Sequence, residues 1–112
     1  MRADDEIRLR HMLDAAREAA SFVDRRTRTD LDSDRMLVLA LQKAMEIVGE
    51  AASRVSQETK GALADLPWAQ IVAMRHRIVH GYDAVDADRL WDTVMLDVPQ
   101  LIALLETKLP RD

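Results

Sequence analysis

Along most of this chain apolar residues recur every three or four positions, and little interrupts them: of 112 residues only three are Gly and three are Pro. That spacing is the period of one face of an α-helix, whereas a half-buried strand alternates every second residue. Strong helix formers fill the positions between, so the chain is expected to be all-α. Leu9, Leu13, Ala16, Ala20 and Val23 form one such stripe, leaving Arg10, Asp14, Arg17 and Glu18 for solvent, and predict a first helix from about Asp5 to Val23.

The same reading carries through the rest of the sequence. Asp24-Arg25-Arg26-Thr27-Arg28-Thr29-Asp30 is a polar connection with room for one helical turn, and its arginines could add a phosphate contact. Asp32, Ser33 and Asp34 can each cap an N-terminus, so a second helix should begin there and run to about Val55 or beyond. Its first part, Met36 to Leu41, is apolar nearly all round, which suits a helix central to a bundle or at a subunit interface. Gly49 costs about 1 kcal/mol relative to Ala inside a helix and marks a close approach of helices. Gly61 and Leu66-Pro67 punctuate the chain. Pro67 suits the first turn of a third helix, Trp68 to about Val79, which His80-Gly81 ends with Gly81 as a left-handed cap. Asp86 caps a fourth helix from about Ala87 to Lys108, in which Pro99 should impose a kink. The expectation is one domain, residues 1–112, folded as an antiparallel up-and-down four-helix bundle with a Pro-kinked last helix.

Composition narrows the function classes. Apolar residues make up 48% of the chain, enough for a core. Cysteine is absent, which excludes disulfide and thiol chemistry and is compatible with a reducing compartment. The N-terminus is charged, and no segment reaches the roughly 18 uninterrupted apolar residues of a membrane span, so a soluble, cytoplasmic protein is expected. The formal net charge of −4 argues against a broad basic face. Any contact with RNA must rest on a local patch.

One such patch exists. Arg75-His76-Arg77-Ile78-Val79-His80-Gly81-Tyr82 gathers two histidines, two arginines and a tyrosine into eight residues of an otherwise acidic, aromatic-poor chain. Arginine grips phosphate with a planar fork and histidine moves protons near neutral pH, so the set points to chemistry on a phosphodiester. Arg75 and His80 would lie about 140° apart on a straight helix. Their convergence therefore requires either that the helix end at His80 or that a second copy of the chain complete the site across a two-fold axis.

Arg75, four residues, His80, one residue and Tyr82 resemble the signature of the HepT-like toxins, a branch of the HEPN superfamily of helical ribonucleases. The likeness extends to Glu46-Ile47-Val48-Gly49-Glu50-Ala51-Ala52, to Leu66-Pro67-Trp68 and to the stretch from Trp91 to Pro99. The resemblance implies a HEPN-like bundle and a cofactor-free, metal-independent endoribonuclease of a toxin–antitoxin system, active as a homodimer or higher assembly with paired motifs at the interface. On this likeness His80 is the proton-transfer catalyst, Arg75 stabilises the transition-state phosphorane, and His76 orients the phosphate or assists the proton transfer. The products would be a 2′,3′-cyclic phosphate and a 5′-hydroxyl. The family also implies a minimal nucleotidyltransferase antitoxin, MntA, that transfers AMP to the motif tyrosine, here Tyr82. A bulky anion two residues from His80 would block the site and repel RNA.

Two other readings compete. His76 and His80 stand at the spacing of zinc-binding histidines, but the intervening Arg77-Ile78-Val79 lacks the glutamate of that motif, and the adjacent arginines repel a dication. Alternatively the chain is a non-catalytic helical partner or substrate-binding module of a nucleotidyltransferase. His11, on the first helix and far from the motif, is expected to be a solvated or satisfied histidine.

Overall fold

Asp34 opens the central helix: its backbone is extended, and its side chain accepts the N–H of Leu37, which satisfies one of the donors that a helix start leaves unpaired. The computed structural model describes residues 1–80 and 84–110. In chain order it contains α1 (Ala3–Phe22), α2 (Asp30–Ser33), α3 (Arg35–Ser53), α4 (Gln57–Ala62), α5 (Trp68–Val72), α6 (Met74–Ile78), α7 (Ala87–Asp92), a π-helical turn (Thr93–Asp97) and α8 (Val98–Lys108). α1 packs on α3 and α8, and α3 packs on α5 and α6. The four rods of the expected bundle are thus α1, α3, α5 with α6, and α7 through α8. Leu9, Met12, Leu41, Val48, Leu90, Val98 and Leu105 are fully buried between them. No helix of the described residues is long and apolar enough to cross a membrane.

The boundaries differ from the expectation in physically traceable ways. The second rod stops at Ser53, and the chain then starts a separate short helix, α4, which the sequence reading did not foresee. Ser56 caps α4 by accepting the N–H of Thr59 at 3.2 Å. Asp5, 2% exposed, accepts from the Ser56 N–H at 3.0 Å, the Ser56 hydroxyl at 2.6 Å and the Thr59 hydroxyl at 2.6 Å. A buried carboxylate is tolerated here because three donors replace its water.

The third rod is broken at Ala73 into α5 and α6, and it ends at Ile78 rather than at Val79. Val79 is already extended, at φ −110° and ψ 125°. The Gly81 cap lies outside the described residues. In the last rod the interruption takes the form of the π turn just before Pro99. Proline has no N–H to offer the carbonyl four residues back, and Val98 N–H reaches past the usual partner to Thr93 O. This wider turn leaves Met95 and Leu96 exposed. Met36 is 82% and Leu39 47% exposed, so the apolar first half of α3 is not covered on every side by this chain alone.

Candidate functional site

α6 is a short helix held by Met74 and Ile78, both buried. Residues four apart share a face, so this anchoring turns His76 outward and sets Arg75 and Arg77 on the two flanks, each about 60° from a buried neighbour. The burial pattern agrees: Arg75 and His76 are exposed and Arg77 is intermediate. Beyond Ile78 the chain folds back on itself. His80 N–H donates to Ala84 O at 2.7 Å, Asp86 N–H donates to Ile78 O at 2.7 Å, and Val79 pairs with Val85 in an isolated antiparallel bridge. His80 therefore leaves the helix that carries Arg75.

Arg75 and His76 share a cleft of about 350 Å³ with Val72 of α5 and with Glu46, Gly49, Glu50 and Ser53 of α3. At Gly49 α3 runs close to α5. A Cβ there would lie 3.4 Å from Ile71 O and 3.5 Å from Val72 O, the close contact that a mid-helix glycine suggested. His80 is not among the cleft residues. Its Nε2 lies 3.9 Å from Oδ2 of Asp86. The cleft thus joins Arg75 and His76, while His80 stands beside a carboxylate. The sequence marks Asp86 only as a cap, because nothing in a linear sequence shows where the second oxygen of a capping carboxylate points. Tyr82 lies outside the described residues. The helical face that His76 and His80 would need to share as zinc ligands does not form, since the helix ends between them.

The electrostatics of the cleft are mixed. Glu46 and Glu50 stand across from Arg75 and His76, and Glu50 is paired with Arg54 at 2.9 Å. The same two glutamates border a second cleft of about 470 Å³ between α1 and α3, to which Ile7, His11, Lys43, Ile47 and Arg54 also contribute. His11 is exposed there, as the sequence suggested. Arg77 turns the other way, with its guanidinium 3.7 Å from Asp97 of the π turn. Its Nε is buried with no hydrogen-bond partner among the described residues. In the polar connection, Arg26 is paired with Asp34 and Asp30, and Arg28 with Asp32 and Asp88. Those two arginines brace the fold around the start of α3 and α7.

No solved structure matches the chain at a significant level. Sequence relatives do. The chain is 33% identical over 88 residues to "Probable ribonuclease HepT" of Thermococcus cleftensis, a match covering 75% of this chain and 80% of that one. It is 31% identical over 72 residues to a "Putative RNase" of Caldanaerobacter subterraneus subsp. tengcongensis, covering 64% of each. A "Putative RNase" of Methanocaldococcus jannaschii is 27% identical over 90 residues, covering 80% of this chain and 83% of that one. The model of the family described as "Ribonuclease HepT-like" matches residues 12–107, nearly all of the bundle and the whole of the Arg75–Tyr82 motif, and the chain belongs to that family.

Proposed function

We propose that this chain is a metal-independent endoribonuclease, the toxin of a toxin–antitoxin pair, with a site assembled from two copies of the chain. The observation that carries this reading is the outward display of Arg75 and His76 on α6, with His80 released from that helix. The 2′-hydroxyl of a ribose attacks the adjacent phosphorus and the 5′-oxygen leaves. His80 takes the proton from the attacking oxygen or returns one to the leaving oxygen, and Arg75 neutralises the added charge on the phosphorane. His76, beside Arg75 in the cleft, orients the phosphate. Because one chain holds His80 outside the Arg75 cleft, the missing imidazole is supplied by the second copy. Exposed Val72 and Ile7, which border the two contiguous clefts, give that copy apolar surface to cover. The products are a 2′,3′-cyclic phosphate and a 5′-hydroxyl. An antitoxin of the minimal nucleotidyltransferase class, MntA, silences the enzyme by placing AMP on Tyr82.

The test is cleavage of end-labelled RNA in EDTA by wild type and His80→Ala, on protein whose intact mass shows no added AMP. Cleavage that persists in EDTA and falls at least ~100-fold in the variant supports the mechanism. Unmodified protein that leaves RNA intact favours a non-catalytic module of a nucleotidyltransferase instead. Growth arrest on expression, relieved by His80→Ala, separates the same two readings in cells.

A further inference from the structure

We propose that Asp86 is the positioning residue for His80, its cap-bound carboxylate holding the imidazole in register for proton transfer. The inference rests on the assignment of His80 above. The two oxygens of Asp86 do different things. Oδ1 accepts the N–H of Arg89 at 3.1 Å and caps α7, which fixes the carboxylate in space. Oδ2 is left facing His80 Nε2 at 3.9 Å, with Arg89 Nε 3.7 Å away. The backbone enforces the meeting: the paired 2.7 Å bonds of His80 N–H to Ala84 O and Asp86 N–H to Ile78 O bring side chains six residues apart together. The first turn of α7 is braced from outside as well, through Arg28 Nε to Asp88 Oδ1 at 2.6 Å.

The side chain of Asp86 is 32% exposed against 63% for His80, so the carboxylate is the better-held partner of the pair. An oriented carboxylate beside one imidazole nitrogen favours the N–H at that nitrogen. The other nitrogen is then left as the base that receives the 2′-hydroxyl proton. Arg89 shares the same oxygen and limits how far it can turn away.

A cap and a positioning group can be told apart because Asn and Ser cap helices nearly as well as Asp but carry no charge. Asp86→Asn and Asp86→Ser are therefore compared with wild type and His80→Ala on unmodified protein, reading melting temperature, kcat and KM for RNA cleavage. Both Asp86 variants should melt with wild type and keep its KM within about two-fold, while kcat falls by about ten-fold or more. Full kcat in both, with His80→Ala inactive, overturns the assignment of Asp86 and leaves that of His80 standing. Wild-type cleavage by His80→Ala, or an inert unmodified wild type, overturns the reading of His80 and this inference with it.

Discussion

At the scale of single residues, burial decides what a charge can do. Asp5 is a carboxylate in the core that accepts from three donors, none of them a cation, among the described residues. Hydrogen bonds from Ser56 and Thr59 hold its carboxyl down from the usual 3.8 to about 2. A group whose folded value is depressed adds stability that is complete above its unfolded value and disappears as pH falls through the folded one. Asp5→Asn should therefore lower the melting temperature by several degrees at neutral pH. The gap between variant and wild type should close on acidification from 3.8 toward about 2, where wild-type Asp5 is itself protonated. Thermal melts across that range check it, and a gap independent of pH would show that the donors do not act on the charged form. Little of this was legible in the sequence, where Asp5 reads as one of several acids at a helix start. Its partners lie more than fifty residues away, on a helix that the apolar period did not reveal. The exposure of Arg75 and His76 has a simpler cause, since Met74 and Ile78 define the buried side of their helix. The facing of Asp86 toward His80 was not legible, because it depends on a chain reversal that leaves no periodic trace.

At the scale of elements, caps and the disturbance of the last rod at Pro99 were readable, and the break at Ala73 was not. Asp86 caps the helix it was expected to cap, and Asp34, one of three candidates, caps α3, since capping needs only the side chain and the two or three residues after it. The break at Ala73 depends on how the rods meet, which local spacing does not encode, whereas the π turn has its local cause in the missing N–H of Pro99. Gly49 lies between these cases: the sequence marks a close approach of helices there, and the structure shows the neighbour to be α5. Gly49→Ala gains up to about 1 kcal/mol of helix propensity and puts a methyl 3.4 Å from Ile71 O, at the edge of ordinary contact. Its net effect on stability should be small. Gly49→Leu has no such room. It should cost about 1–3 kcal/mol through forced separation of α3 and α5 and should also narrow the cleft of Arg75 and His76. Urea denaturation of the two variants checks this, and equal stabilities would mean that the rods do not meet there as closely as 3.4 Å implies.

At the scale of the whole molecule, a net charge of −4 must be reconciled with a polyanionic substrate. One chain offers little attraction. Its cleft sets Glu46 and Glu50 against Arg75 and His76, and Arg26, Arg28 and Arg77 are committed to carboxylates within the fold. Two copies facing each other would double the cations at the scissile phosphate and supply to each Arg75 the His80 that its own chain holds elsewhere. This arrangement makes a prediction that no single-chain site can meet. Arg75→Ala and His80→Ala should each be inactive alone. Mixed and re-equilibrated in equal amounts, half of the dimers pair the two variants, and each mixed dimer keeps one Arg75 and one His80 on opposite chains. With two independent sites in the wild-type dimer, activity should recover to roughly a quarter of the wild-type value. Sedimentation of the mixture would establish that the dimers form, and RNA cleavage would read the recovery. A site contained within one chain would leave the mixture as dead as its components, and dimers that form without recovery would exclude the transfer of His80 across the interface.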